Sequence, residues 1–335
     1  MNCLTNILTG KEFIIGLKHF NDPLLSNPIS SLFINDFSGI SLKTASAVTS
    51  EEIGNGLDLI KEKITLATRL VLDDVKSKLE PLYNFNSIIE SNTFGIISNA
   101  YYSALNGKRG IYIKRYTINR FSKIYIESVT INMNSSKTFD LRITDGNNDF
   151  LFKSITSIAG QSQLVPVNYM AENENVKIYI DNKGQSISYN KSLLTNFGNG
   201  GFRNHRHCSD CGATTKHLSA WGWNGNDFDK NCYGLTANVS LQCDESVLYC
   251  TILNRLYFVI WYQSGIEFLN EVITSKRLNP ICQLSQVQAK ELKLELEDKY
   301  NKKYDTIIQS VKDYLSNTKD VCINCNGVKY VQSIP

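Results

Sequence analysis

The order of hydrophobic patterns along the chain constrains its fold more than any other feature. Apolar residues recur every three to four positions in residues 49–107, alternate with polar residues in 108–245, and return to the helical spacing in 246–335. We expect the two helical parts to pack on each other or on copies of themselves, since neither should bury its apolar stripe alone. The sequence therefore predicts an α+β fold, in which a discontinuous helical unit carries a central antiparallel β-sandwich.

The first helical part begins with a capping-box pattern. Thr49 stands three residues before Glu52, a spacing that lets each side chain bond the other's backbone amide. The apolar stripe that follows predicts one long helix, and a second helix is predicted over residues 87–105. Residues 1–48, which prolines and a glycine interrupt, are predicted to form an extended docking arm with one or two short helices.

Strands are predicted wherever apolar residues alternate with polar ones in the middle of the chain. Short strands at regular spacing are typical of an antiparallel sandwich, and residues 235–242 are predicted to rejoin it. Residues 185–233 show no clear period and are predicted to form a long structured loop rich in Cys, His and Trp.

The last helical part is predicted to be a hairpin. A helix over residues 246–273 is followed by a second capping box, in which Ser285 precedes Gln288. The short connection implies two antiparallel arms. Residues 247–269 form the longest apolar stretch, but Arg255 and Glu267 within it favour a buried helix over a membrane span.

Composition limits the class of protein. With 335 residues, of which 42% are hydrophobic and 20% charged, the chain is long enough for two domains and too apolar for general disorder. A net charge of +3 argues against a dedicated nucleic-acid binder. Because the first ten residues lack a secretory signal, we expect a soluble protein made in the cytoplasm.

Nine cysteines are many for a cytoplasmic protein, and in a reducing compartment they favour zinc ligands or buried thiols over disulfides. One candidate structural zinc site lies in the long loop: Cys208, Cys211, His205, His207 and Cys232. A second follows from the hairpin, which would bring the end of the chain back to its own start: Cys243, Cys250, Cys322 and Cys325. The alternative for both groups is free thiols that pack as small apolar side chains.

A stretch without acidic residues carries six cations interleaved with aromatic rings: Lys108, Arg109, Lys114, Arg115, Arg120 and Lys123. These residues could face a DNA backbone, although a solvated strand face is the simpler interpretation. Trp221 and Trp223 are followed by an acidic, Asn-rich segment, which suits stacking on sugars or binding of calcium. Alternatively, the two rings fix the loop to the sheet.

Catalytic motifs such as a P-loop, HExxH, GxSxG or GxGxxG are absent from the sequence, so no enzyme activity is expected. Three other segments are distinctive: residues 37–43 with Glu51 and Glu52, residues 264–279 with the helix that ends at Tyr300, and the closing CxxC of residues 322–325. They resemble virion structural proteins of tailed phages of Bacteroidetes, including the crAss-like phages, and most of all a head-to-tail neck or ring protein.

This resemblance implies a homo-oligomeric ring, twelvefold in symmetry, that binds portal and other neck or tail proteins and surrounds the DNA path in the virion. The separated helical halves suit a ring wall, and the sandwich suits a contact domain. The alternative function is a carbohydrate- or receptor-binding sandwich of a fibre or adhesin. In both cases no membrane contact is expected.

Overall fold

A computed structural model describes residues 3–49, 55–103, 107–115, 120–184, 186–193, 217–229, 231–275 and 284–323, without side chains at 96–103 and 190–193. The chain forms two compact units, each built from two segments. Unit 1 comprises Met1–Tyr83 and Glu245–Thr318, and unit 2 comprises Asn84–Asp244 and Lys319–Pro335. Terminal helices and a central set of antiparallel sheets confirm the predicted α+β class.

Unit 1 is helical. Its helices are α1 (Cys3–Leu8), α2 (Pro23–Ser26), α3 (Leu42–Val48), α4 (Gly56–Leu79), α5 (Glu245–Thr274) and α6 (Gln286–Ser316), and its two short parallel strands are β1 (Ile15–Gly16) and β2 (Leu32–Phe33). Helix α5 packs against α1, α4, α6 and both strands. Because it is covered on several sides, α5 is apolar around most of its circumference, as expected of a buried helix.

The predicted hairpin of α5 and α6 is confirmed. Arg255 on α5 donates a hydrogen bond to Ser310 on α6, and the side chain of Gln286 donates to the backbone carbonyl of Ile273. These contacts run in opposite directions along the two helices, so the arms are antiparallel. The predicted capping box is also present, with Ser285 and Gln288 each accepting from the other's backbone amide.

The predicted start of the first long helix is wrong. Thr49 ends α3, because its backbone amide and its hydroxyl both donate to the carbonyl of Ala45. Helix α4 begins at Gly56 instead, after Asn55, whose side chain accepts from the amides of Leu57 and Asp58. A side chain at this position stabilises a helix by satisfying its free first-turn amides.

The predicted extended arm is also wrong, because residues 3–49 fold onto the helices of unit 1. The indole of Trp261 on α5 donates to the carbonyl of Phe33 at 2.8 Å, and the ring of Phe37 stacks on Trp261. Prolines and a glycine interrupt this segment and short helices form in it, as the sequence indicated, but the apolar side chains of those helices are buried within unit 1.

The described part of unit 2 contains twelve strands in three sheets. The strands are β3 (Ile88–Phe94), β4 (Ile96–Ser103), β5 (Lys108–Arg115), β6 (Ser122–Asn132), β7 (Thr138–Asp145), β8 (Asn148–Thr156), β9 (Ser162–Met170), β10 (Asn175–Asp181), β11 (Ser188–Leu193), β12 (Leu218–Trp223), β13 (Phe228–Asp229) and β14 (Leu235–Cys243). A six-stranded sheet has the order β13-β12-β5-β10-β7-β8, a four-stranded sheet has the order β3-β14-β6-β9, and β11 pairs with β4. All pairs among these strands are antiparallel.

Side chains from the inner faces of the two larger sheets share one apolar core. The predicted alternation is confirmed, because Ile111, Ile124, Leu141 and Ile178 are all fully buried within it. Alternate residues of a strand point to opposite faces, so the residues between them form the outer faces. The late strand rejoins the sandwich as predicted: β14 lies between β3 and β6.

Two predictions for this region are wrong. The segment over 87–105 that was expected to be a helix forms two strands of different sheets, β3 and β4. Gly95, with a positive φ of 93°, separates them. Isoleucine-rich segments of this length fit both the helical and the strand periodicity. Here the pairing of β3 with β14 favours the strand. The loop expected over 185–233 contains β11, β12 and β13, while residues 194–216 within it lie outside the described residues.

No helix in the part of the chain that the structure describes combines the length and apolar character needed to cross a membrane.

Candidate functional site

The outer face of the six-stranded sheet carries aromatic and charged side chains. Strand pairing places Trp221 beside Tyr112, Tyr112 beside Lys177, and Lys177 beside Thr144. The next strand of this row contributes Asp149, which pairs with Thr144. Five neighbouring strands therefore present two rings, an ammonium, a hydroxyl and a carboxylate in sequence across one surface.

The aromatic end of this face consists of Tyr112, Trp221 and Phe228. The ring centroid of Tyr112 lies 5.8 Å from that of Trp221 and 4.9 Å from that of Phe228. Phe228 is 53% exposed, and the other two rings are half-buried. Partial burial raises the pKa of the Tyr112 hydroxyl, which stays protonated and able to donate at neutral pH.

The polar end consists of Tyr179, Asp149, Arg142 and Lys108. The hydroxyl of Tyr179 donates to the carboxylate of Asp149 at 2.8 Å, and Nε of Arg142 lies 3.4 Å from the same carboxylate. Burial alone would raise the pKa of Asp149, but hydrogen bonds from Tyr179 and Arg142 outweigh it, so this pKa lies below its ordinary value. Asp149 is therefore an anion at neutral pH, held by its neighbours on a residue that is exposed.

Trp223 connects the two ends as a packing residue. It is only 8% exposed, because the ring of Tyr179 packs edge-on at 5.2 Å and the ammonium of Lys177 lies 4.9 Å from its ring centroid. Gly110 separates Trp223 from Tyr179 in the sheet, and a Cβ there would lie 2.5 Å from the Cα of Tyr179. The interpretation that the tryptophans fix this segment to the sheet therefore fits Trp223, whereas Trp221 is part of a more open cluster.

The turn between β12 and β13 is held by its own hydrogen bonds. The side chain of Asn224 accepts from the amides of Asn226 and Asp227, and the Asn224 amide donates to the carbonyl of Asp227. Asp229 accepts from the Asn231 amide and from the hydroxyl of Tyr233. These contacts position the turn beside Phe228.

The six cations predicted to face DNA do not share one surface. Lys108 and Lys114 lie exposed on the outer face of β5, whereas Arg109 and Arg115 point to the opposite side, as strand alternation requires. The guanidinium of Arg109 lies 5.8 Å from the ring of Tyr233.

The other members of this set are also separated. Arg115 is 8% exposed and donates to the carbonyl of Ser122, and burial lowers the pKa of its guanidinium. Lys123 lies in the other large sheet and forms a 2.7 Å ion pair with Asp244. Arg120 is exposed just before β6. A continuous phosphate-binding stripe is therefore not formed by these residues.

The cysteines predicted to converge at the base of the hairpin do so only in part. The end of the hairpin returns as predicted, and the Cα atoms of Cys243 and Cys322 lie 5.6 Å apart. These two residues form a disulfide, and Cys250 forms a second one with Cys3. The prediction of thiols or zinc ligands at these positions is therefore wrong, while Cys325 lies outside the described residues.

Cys232 is a buried thiol. It is fully buried in the sandwich core beside Gly95, and burial raises its pKa to about 12. Zinc binds the thiolate, so this environment favours packing over ligation. Its proposed co-ligands Cys208, Cys211, His205 and His207 lie outside the described residues. Among the residues that are described, no three His, Cys, Asp or Glu side chains converge to hold a metal ion.

Sequence reasoning singled out Lys108 but missed the other three residues of the polar end. Tyr179 stands between Ile178 and Ile180, and the alternation of the strand places it on the outer face, where neighbouring side chains leave it only 1% exposed. That signal was available from the sequence. The sequence did not indicate its partners Arg142 and Asp149, because the strand register that joins β7, β8 and β10 is a property of the folded sheet.

Comparison with known proteins identifies no family for this chain. No protein-family model matches the chain, and no curated protein matches it. Among solved structures, the clostridial cysteine protease Cwp84 after propeptide cleavage matches with a TM-score of 0.26 at 9% identity, over 45% of this chain and 40% of that one. The cysteine protease and lectin-like domains of Cwp84, a surface layer associated protein of Clostridium difficile, match with a TM-score of 0.26 at 10% identity, over 46% and 36%.

The chain thus spans well under half the length of these structures. A TM-score of 0.26 is below the level at which two folds are called similar, so neither the fold nor the activity of Cwp84 transfers to this chain.

Proposed function

We propose that this protein is a non-enzymatic structural component of a tailed-phage virion. It forms a ring in the head-to-tail connector or neck, joins portal or tail proteins, and surrounds the DNA path. The protein is made and assembled in the cytoplasm of the bacterial host, where its cysteines are reduced, and its disulfides form once the particle has left that compartment. Ring symmetry is twelvefold by resemblance to phage neck proteins.

The observation that carries this proposal is the packing of the segments that resemble neck proteins. Phe37, from the first segment, stacks on Trp261 with ring centroids 4.2 Å apart. Gly265, from the second, faces both Phe37 and Leu296, so closely that an added Cβ would lie 2.8 Å and 2.7 Å from their side chains. Segments more than 200 residues apart in sequence thus form one junction in unit 1. This junction supports the resemblance to phage neck proteins, because the segments that carry the resemblance pack together in one helical unit.

The state of the cysteines supports a structural role. A cysteine nucleophile reacts as its thiolate, and burial holds Cys232 as a thiol. Four further cysteines form disulfides that join distant segments of the chain. In the described residues the cysteines therefore stabilise the fold.

The DNA contact within this proposal involves fewer cations than the sequence suggested. Lys114 and Arg120 are exposed, whereas Lys123 is committed to Asp244. Reversal of charge at Lys114 and Arg120 should weaken genome retention in assembled particles. Lys123→Glu is the contrasting variant, because its effect should fall on the stability of unit 2. Unchanged retention in the first variant would count against the DNA contact.

The assembly is tested by native mass spectrometry and electron microscopy of the full chain, purified without chelators, alone and with the portal protein of the same phage. We expect a closed ring with one subunit number, formed alone or on the portal. A monomer that neither closes into a ring nor binds the portal would overturn the proposal.

A further inference from the structure

We propose that the outer face of the six-stranded sheet is a binding site for a neutral polysaccharide. The aromatic end and the polar end lie on one surface of the same sheet, and the ring proposal draws on neither of them. The proposal therefore stands independently of the assembly role.

The aromatic end provides stacking surfaces. Phe228 is more than half exposed, and its neighbours Tyr112 and Trp221 are only half-buried. Water contact with three adjoining rings is unfavourable, and such clusters on a monomer's surface mark sites of binding. The C–H groups on the flat side of a pyranose ring carry partial positive charge and pack against the negative face of an aromatic ring.

The polar end provides hydrogen-bonding groups at fixed positions. Tyr179 and Arg142 hold the Asp149 carboxylate from one side, and Lys108 lies 4.0 Å from it. Sugar hydroxyls donate and accept at once, so they suit a surface where donors and acceptors alternate. Neighbouring strands lie about 4.8 Å apart, so the row from Trp221 to Asp149 spans about 19 Å. A chain of several sugar units is long enough to use both ends.

Charge along the row from Trp221 to Asp149 favours a neutral polymer over a polyanion, and Lys114, exposed on the same face of β5, lies outside this row. Lys108 and Arg142 share the Asp149 carboxylate, and Lys183 is paired with Asp140 at 2.9 Å. Lys177 lies over the ring of Trp223. Nucleic acid binding depends on cations that are available to phosphate, whereas phosphates laid along this row would meet Asp149. The stacking rings would suit nucleobases, but the accompanying charges do not suit their backbone.

The test is affinity electrophoresis of the full chain through gels that contain mannan, xylan or a mixed-linkage β-glucan. Heparin and single-stranded DNA serve as polyanion probes. The informative variants are Phe228→Ala and Trp221→Ala. The matched control is Leu164→Ala, because Leu164 is 64% exposed but lies on the other large sheet. Thermal unfolding of each variant shows whether the sandwich is intact.

We expect retardation by at least one neutral polysaccharide. Each of the two variants should weaken it about tenfold, as expected for loss of one stacking ring, while Leu164→Ala leaves it unchanged. Three outcomes would overturn the proposal: no retardation by any of the three neutral polymers, retardation by the polyanions alone, or unchanged binding in the folded Phe228→Ala variant.

Discussion

Cys243 and Cys322 form a disulfide although 79 positions and the whole α5–α6 hairpin separate them in sequence. The backbone supports this pairing, because the Cys322 amide donates to Asp320, which also accepts from the amide of Phe121. Residues 320–322 are thereby fixed within unit 2 beside β14, the strand that precedes the hairpin.

Removal of this bond should destabilise unit 2. Cys243→Ser with Cys322→Ser is expected to lower the free energy of unfolding by about 2–4 kcal/mol, because the unfolded chain regains the freedom that the crosslink removes. Calorimetry of the oxidised protein measures the loss. The pair Cys3→Ser and Cys250→Ser is the control, and should instead affect the transition of unit 1. Alkylation of both Cys243 and Cys322 in native, oxidised protein would contradict the pairing.

The ion pair between Asp22 and Lys61 should make unit 1 sensitive to acid. The hydrogen bond from Lys61, 2.6 Å long, lowers the pKa of Asp22 below its ordinary value of 3.8, and the amides of Leu24 and Leu25 add to this effect against the opposing effect of burial. A carboxyl whose folded pKa is depressed contributes stability above its unfolded pKa and loses it as pH falls through the folded pKa.

We therefore expect Asp22→Asn to unfold more easily than the original protein at neutral pH, while asparagine keeps the helix cap. This difference should shrink as pH falls below 3.8. Urea unfolding over a pH series measures it. A difference that stays constant down to the lowest pH would show that Lys61 contributes nothing through charge.

Gly265 should resist replacement although it lies inside a helix. Alanine normally stabilises a helix interior by about 1 kcal/mol relative to glycine. Here its methyl group would meet Phe37 and Leu296, and overpacking costs about 1–3 kcal/mol. We expect Gly265→Ala to be neutral to destabilising and Gly265→Val to be clearly destabilising in urea unfolding. Combination with Phe37→Leu should restore part of the loss, since contacting residues are not additive. A more stable Gly265→Ala protein would refute the close packing.

Zinc binding in the segment that contains Cys208 and Cys211 stays a prediction, which substitution of the cysteines can test. We expect one zinc ion per chain, lost in Cys208→Ser with Cys211→Ser and retained in Cys232→Ser, as measured by native mass spectrometry. In the same protein, Cys232 should resist alkylation until unfolding, because its pKa of about 12 leaves almost no thiolate at neutral pH. Loss of zinc in Cys232→Ser would place this thiol in the metal site.

The parts of the fold that sequence predicted best are those with strong local signals. Ser285 and Gln288 indicated the start of α6 because a capping box acts within one turn. The alternation around Ile124 and Ile178 indicated buried strands for a similar reason. Local signals gave wrong predictions where other contacts determine the structure. Thr49 has the sequence pattern of a helix start, but its hydroxyl donates to the carbonyl of Ala45 and it ends α3.

The candidate site was less predictable than the fold. Trp221 was recognised by residue type, but Tyr112 was counted only as a ring among cations. Asp149 was not considered, because only the pairing of five strands brings it into line with these rings. The disulfides were missed for a different reason: nothing in the spacing of Cys3 and Cys250 reveals a contact across 247 positions.

The two disulfides also determine what proteolysis would release. The chain passes between its units after residues 83, 244 and 318, so one cleavage leaves them covalently joined. Cys3–Cys250 links both segments of unit 1, and Cys243–Cys322 links both segments of unit 2. Cleavage at all three junctions would leave no peptide bond between the units, while each unit, one helical and one β-sheet, would keep its two segments joined by its own disulfide.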